Sequence, residues 1–228
     1  MRLNSPGLWI CIDGPDFTGK CTQCAKLIER LIFANEDNVI TYTHEPTRDA
    51  RIIKEKLRAE KGNAYKDPEV MAHLYIDNRQ SNEKRVIRPA LAAGGIGLSN
   101  RSKYATLAYQ AAQGIEISEL IKFHKERNIG TPDITFFLFV DDDEELRERM
   151  KRTGKTGDKF ESDFDFQKLV AVNYERLAAL APTDPKFFGD IHPIKKYARA
   201  SIYDISDSIW QKLEPVYKAW TEERDRIE

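Results

Sequence analysis

The sequence has no stretch of about 18 consecutive apolar residues, so nothing in it reads as a membrane-spanning helix. Residues 1–12 are too short and too interrupted, by Asn4, Ser5, Pro6 and Gly7, to read as a secretory leader. Cysteine is scarce: Cys11, Cys21 and Cys24 fall in one short stretch, an odd number that cannot pair completely, and no histidine cluster completes a zinc site. The expectation is a reducing, cytoplasmic setting. An excess of charge of one sign is also missing. The 36 basic residues nearly balance 37 acidic ones for a net charge of −1, which argues against a broad footprint for nucleic acid or a membrane surface and makes any anion site local. Internal repeats and low-complexity tracts are absent too.

What is present suits an ordinary globular chain. At 228 residues, with 41% hydrophobic and 32% charged, it fits a single domain over 1–228. Leu8-Trp9-Ile10-Cys11-Ile12 is an apolar run stopped by Asp13-Gly14-Pro15, a buried strand entering a tight turn. From Lys20, the residues Cys24, Leu27, Ile28, Leu31 and Ile32 recur at helical spacing until Asn35. A second strand is predicted at 39–43. Asp67-Pro68 starts a helix with Val70, Met71, Leu74 and Tyr75 on one face, and a further helix runs through Val86 and Ile87 to Leu91. A third strand at 96–99 and a helix at 105–123 follow. Residues 133–140 form a nearly continuous apolar run, the mark of a strand buried on both faces as in parallel sheets. A charged helix at 144–152, a basic loop at 153–159 and helices at 164–180 and 202–220 complete the chain, with a Pro-rich aromatic connection at 182–197. The alternation predicts an α/β fold: a doubly wound parallel sheet of about five strands flanked by helices.

Gly14-Pro15-Asp16-Phe17-Thr18-Gly19-Lys20 matches GxxxxGK between a predicted strand and a predicted helix. Such a loop wraps a phosphate with backbone N–H groups, the helix N-terminus adds partial positive charge, and the lysine reaches the β and γ oxygens. Gly14, Thr18, Gly19, Lys20, Cys21 and Thr22 are therefore the candidates for holding a nucleoside triphosphate. Cys21 stands where a Ser or Thr hydroxyl normally ligates Mg²⁺, and a soft thiol is a poor ligand for that hard ion. Thr22 points about 100° away on the helix and does not substitute.

Further motifs in order resemble thymidylate kinases and together span most of residues 8–180. Ile12-Asp13-Gly14-Pro15-Asp16 through Lys20-Cys21-Thr22-Gln23 is similar to that family's opening strand and loop. His44-Glu45-Pro46-Thr47 resembles its REPGG segment, shortened and with His for Arg. Leu74-Tyr75-Ile76-Asp77-Asn78-Arg79 and Ile87-Arg88-Pro89-Ala90-Leu91 resemble its LFAADR and IRPAL stretches. Asn100-Arg101-Ser102 with Ala108-Tyr109-Gln110 resembles its DRY and AYQ motif, and Asp158-Lys159-Phe160-Glu161 its DRFE lid end.

The resemblance implies a P-loop kinase fold, ATP and Mg²⁺ as cofactors, and transfer from ATP to dTMP giving ADP and dTDP. It assigns Tyr75 to stacking on thymine, Arg79 to a base carbonyl, Arg101 to the acceptor phosphate, Tyr109 to the deoxyribose and Asp16 to the 3′-hydroxyl, with Glu45, Thr106 and Gln110 also on the substrate side. Plainer structural readings stand beside these: core packing for Tyr75 and Tyr109, a solvated surface arginine for Arg79, local backbone capping for Asp16. Arg147, Arg149, Lys151, Arg152, Lys155 and Lys159 surround Gly154 and Gly157, consistent with a basic lid over about 147–161. Because position 17 is Phe rather than Arg, the lid would supply catalytic charge, with Arg149 and Lys155 joining Lys20 and Arg101. A homodimer is implied, packed through helices around Leu74 and residues 108–121.

Three exchanges depart from the family pattern: Cys21 for the metal-binding hydroxyl, Asn100 for the Asp before Arg101, and Ala105 for a serine. Asn keeps the shape of Asp without its charge, so Mg²⁺ would be held less well. Two alternatives therefore stand beside the dTMP kinase: a kinase for another deoxynucleotide or a nucleoside, and a nucleotide-binding protein with weakened catalysis.

Overall fold

Apolar residues that run on without a break along a strand must be covered on both faces, and the two longest such runs lie at the centre of the sheet. The computed structural model describes residues 6–58, 67–153, 163–196, 200–224 and 226. β1 (Leu8–Asp13) is buried throughout and pairs in parallel with β3 (Ile96–Asn100) on one side and β4 (Ile134–Val140) on the other. β2 (Ile40–His44) and β5 (Asp190–Lys196) form the edges, giving a parallel sheet in the order β2-β3-β1-β4-β5. Phe137 and Phe139 of β4 enter one core cluster and Ile134, Phe136 and Leu138 enter the other. Thus the period of two splits one strand between two helical layers.

On one face α1 (Lys20–Ala34) packs with α9 (Ile202–Arg224), through Leu27 and Leu31 against the cluster of Ile209, Leu213 and Trp220. The other face carries α3 (Pro68–Asn82), α5 (Lys103–Ala112), α6 (Ile117–Glu126) and α8 (Phe164–Leu180). The short helices α2 (Arg51–Arg58) and α4 (Arg88–Ala92) and the longer α7 (Asp143–Thr153) lie outside these groups, and single helical turns at Ala181–Thr183 and Pro185–Phe188 precede β5. Among the described residues no helix is long and apolar enough to cross a membrane.

Several elements differ from the sequence expectation. The connection expected at 182–197 contains the edge strand β5, whose Pro193 is tolerated because an edge has one unpaired side. The helix expected at 105–123 is two helices, broken where Gly114 takes φ 98°. Conversely, the two helices expected between Asp67 and Leu91 form one continuous rod, α3 running into α4 through a π-helical turn at Glu83–Ile87. Its inserted residue accompanies the burial of Arg79, Asn82 and Glu83, and the Glu83 carboxylate accepts from Gly130 N–H at 2.9 Å. The face expected to meet a second copy is also corrected at Ala108. That residue is wholly buried in its own chain, where Asn173 of α8 donates to its carbonyl at 3.0 Å.

At the carboxyl end of β1, the buried Asp13 carboxylate ties three segments together. It accepts from Gly14 N–H at 2.9 Å, from Ser102 N–H at 2.9 Å and from the Tyr174 hydroxyl of α8 at 2.7 Å. Hydrogen bonds to a charged acceptor contribute about 1.5–3 kcal/mol each, and a buried donor lost from such a network is not replaced by water. Tyr174→Phe should therefore lower the unfolding free energy by about 1–2 kcal/mol, read from urea midpoints at an unchanged slope. An unaltered midpoint would remove Asp13 as the tie between sheet and α8.

Candidate functional site

The strand β1 ends at Asp13 and the chain turns at once. Gly14 takes φ 139°, and a Cβ there would lie 2.4 Å from the Leu138 carbonyl oxygen, so no larger residue fits. Gly19, immediately before α1, is left-handed at φ 91°. Between them Phe17 adopts φ 65°, a conformation that costs a non-glycine residue about 1 kcal/mol or more. Thr18 Oγ1 donates to the Pro15 carbonyl at 3.0 Å, and α1 has no acidic residue in its first turn to compete for an anion. Lys20 is buried and folds back over the loop, its Nζ donating to the carbonyls of Gly14 at 3.0 Å and Pro15 at 2.6 Å. Burial, and then the neighbouring Arg101 charge, bring its pKa down to about 8, with Asp16 and Asp13 pulling the other way.

Asp16 faces the loop after β3. Burial works against its charge, but Arg101 and Lys20 outweigh that cost and hold its carboxyl at about 2. Arg101 N-terminal to α5 adopts φ 75°, and its guanidinium pairs directly with Asp16 Oδ1 while lying 5.1 Å from the centre of the Tyr109 ring. The Tyr109 hydroxyl donates to Asp16 Oδ2 at 2.7 Å. Gln167 of α8 completes the cluster by accepting from Asp16 N–H at 3.1 Å. The sequence reading missed Gln167. The signal for it was a polar residue, like Asn173, on the largely apolar inward stripe of α8, beside Phe166, Val170 and Tyr174.

Further along the cavity, Arg79 is buried rather than solvated, which removes its plainer reading. Its Nε donates to Glu45 Oε2 at 2.7 Å and its Nη1 to Thr106 Oγ1 at 3.1 Å. Asn82 donates to the other Glu45 oxygen at 3.3 Å. Burial raises the Glu45 pKa above the ordinary carboxylate value, with Arg79 opposing the shift.

A single cavity of about 320 Å³ gathers these groups. Asp16, Glu45, Tyr75, Arg79, Arg101, Thr106, Tyr109 and Gln110 all line it, as do Gly19, Lys20, Cys21 and Thr22. Gly14 and Thr18 shape the loop without lining the cavity. Arg149 reaches over the loop from α7, donating to the Phe17 carbonyl at 2.9 Å while its other nitrogens hold Glu145. Lys155, with residues 154–161 of the expected lid, lies outside the described residues.

The metal question turns on Cys21 and Asn100. Asn100 Nδ2 donates to Cys21 Sγ at 3.2 Å and to the Tyr42 hydroxyl at 3.2 Å, while its buried Oδ1 has no partner among the described residues. A soft sulfur and the positive edge of an amide therefore occupy the positions where a hard cation wants oxygen, and these donors do not fit Mg²⁺. Among the described residues no group of three or more His, Cys, Asp or Glu side chains could hold a metal ion.

A family model for thymidylate kinase matches residues 12–189. The thymidylate kinase of Exiguobacterium sp. is 34% identical over 179 residues, covering 77% of this chain and 83% of its own. The probable thymidylate kinase of Thermococcus kodakarensis is 31% identical over 184 residues, covering 77% and 86%. The crystal structure of the Ehrlichia chaffeensis thymidylate kinase superposes with a TM-score of 0.69 over 91% of this chain and 98% of its own, a likeness of fold at 23% identity. The family match begins inside β1, takes in the phosphate loop and every cavity residue named above, and ends just before β5: the chain belongs to the thymidylate kinase family.

Proposed function

We propose that this protein transfers the γ-phosphoryl group of ATP to dTMP, giving ADP and dTDP. The observation that carries this reading is the one cavity onto which both the phosphate loop, through Lys20, and the acceptor-side cluster, through Arg101 and Arg79, open. In the reaction an oxygen of the acceptor phosphate attacks the γ phosphorus in line. The bond to the β–γ bridging oxygen breaks, and ADP leaves with its electron pair, without a covalent intermediate.

The loop N–H groups and Lys20 cradle the triphosphate, and Arg101 holds the acceptor phosphate by its planar fork. Tyr75 stacks on the base, Arg79 donates to a base carbonyl, and Tyr109 packs under the deoxyribose, with Thr106 and Gln110 closing the same wall. Asp16 meets the 3′-hydroxyl and keeps Arg101 oriented before substrate arrives. The family in general uses ATP with Mg²⁺, which neutralises phosphate charge. Since Cys21 and Asn100 do not suit that ion, the burden of charge stabilisation falls on Lys20, Arg101 and Arg149, with Lys155 as a further candidate. A homodimer in the cytoplasm is part of the same proposal, with a contact face that does not include Ala108.

The direct test is turnover across dTMP, dUMP, dCMP, dGMP and thymidine, in which dTMP should give the highest kcat/KM. Preference for thymidine or for a purine nucleotide would overturn the assignment.

Restoring oxygen ligands should matter more to rate than to nucleotide affinity. The double variant Cys21→Thr, Asn100→Asp should raise Mg²⁺-dependent turnover about 10-fold or more, which corresponds to about 1.4 kcal/mol of transition-state stabilisation. Its affinity for Mg²⁺ in the ATP complex, measured by calorimetry, should rise in parallel. An unaltered protein already matching the double variant in both respects would refute this account.

Lys20 supplies a pH dependence whose sign is fixed. Its ammonium must be charged to meet a phosphate, and its pKa in the free protein is about 8. Below pH 8 the charge is already present and ATP affinity should be flat. Above pH 8 binding must first take up a proton, so affinity should fall by up to about tenfold per pH unit. Calorimetry between pH 7 and 9.5 reads this directly, and Lys20→Met should flatten the profile.

A further inference from the structure

α6 carries a histidine that no sequence motif singles out. His124 is wholly buried, and both ring nitrogens are engaged: Nδ1 lies 2.7 Å from the Leu120 carbonyl oxygen and Nε2 lies 3.2 Å from Arg79 Nη1. A carbonyl can only accept and a guanidinium can only donate. Nδ1 therefore bears the proton and Nε2 is a bare acceptor, which defines a neutral ring in one tautomer. Burial, then the Arg79 charge, push the His124 pKa well below its ordinary value, in agreement with that assignment. The edge of the Phe187 ring packs against the imidazole at 6.4 Å between centres, holding its plane.

The consequence falls on Arg79. Its single Nε hydrogen goes to Glu45, and the two hydrogens on Nη1 are taken by Thr106 and His124. A guanidinium has five hydrogens, so only the Nη2 pair is left to donate into the cavity that Arg79 lines. We propose that His124 is a positioning residue for recognition of the acceptor's base. By completing Nη1 from behind, it fixes the plane of Arg79 and presents Nη2 as a donor, which favours a ring carbonyl over an amino group at the same place. The inference rests on the reading of Arg79 as the base-carbonyl donor. His124 itself touches no substrate, and its ring serves because a rigid acceptor holds a planar fork better than a flexible one.

The test is equilibrium binding of dTMP and of dCMP, without metal or ATP, to the full chain and to His124→Phe, His124→Gln and Arg79→Gln. Phe keeps the ring packing and loses the acceptor. It should weaken dTMP binding about tenfold and shrink the preference for dTMP over dCMP by a similar factor. Gln can place its Oε1 near the position of Nε2 and, as a more flexible acceptor, should recover part of both. ATP binding, measured on the same samples, should move less than about twofold, since no residue of α6 lines the cavity beside Lys20. Should the Phe variant fail to fold, His124→Asn, too short to reach Arg79, supplies the same contrast with Gln. A His124→Phe protein with the unaltered dTMP-to-dCMP ratio, beside an Arg79→Gln protein that has lost it, would overturn the role of His124 alone. If Arg79→Gln also keeps the ratio, the assignment of Arg79 to the base carbonyl fails, and the inference with it.

Discussion

The arrangement depends on one buried carboxylate. Asp13 closes β1 and receives donors from the phosphate loop, from the segment after β3 and from α8, three parts of the chain lying up to 161 residues from it in sequence. Asp16 adds a second link between the same parts, through Arg101, Tyr109 and Gln167, so the two halves of the cavity are held to each other as well as to the sheet. The strain at Phe17 and Arg101 makes sense in that setting: both left-handed residues flank the tie, where neighbouring contacts over-determine the backbone. Burying a charge is costly unless it is hydrogen-bonded, and here three donors converge on two oxygens.

A second layer of the same logic runs outward. Asp16 is held by Arg101, Tyr109 and Gln167, and Glu45 by Arg79 and Asn82. Each cavity cation thus has a buried or part-buried carboxylate behind it and each carboxylate has a further polar group. Such networks stabilise little in net terms, because desolvation offsets most of the Coulomb gain. What they provide is fixed direction, which a site selecting among similar nucleotides requires.

How much was legible in the sequence depended on how local each feature is. The phosphate loop was readable because its chemistry lies in seven consecutive residues, Gly14 to Lys20, and the turn demands glycine at Gly14 for steric reasons visible only afterwards. The acceptor-side residues were readable through family resemblance, since Arg79, Arg101 and Tyr109 sit on three different elements and no spacing brings them together. α8 was legible to the residue, because its ends carry an N-cap at Asp163 and a Pro-containing turn beyond Leu180. β5 was not, because Pro193 and the polar Asp190, His192 and Lys195 hide a strand that only pairing with β4 creates. Nor were Gln167 and His124, whose significance comes from partners 151 and 45 residues away. The burial of Arg79 was hidden for a related reason: an arginine on a helix reads as surface until its acceptors are known.

That edge strand has a consequence for the sheet as a whole. β5 runs seven residues along β4, long enough to offer its outer side as a template to any extended segment that meets it. Pro193 stands in the middle, opposite Phe137, and proline has no N–H. Lys195 and His192 place polar heads on either side of it. A foreign strand laid along this border would meet a missing donor halfway and polar neighbours around it, so the border resists the edge-to-edge pairing of sheets that leads to aggregates.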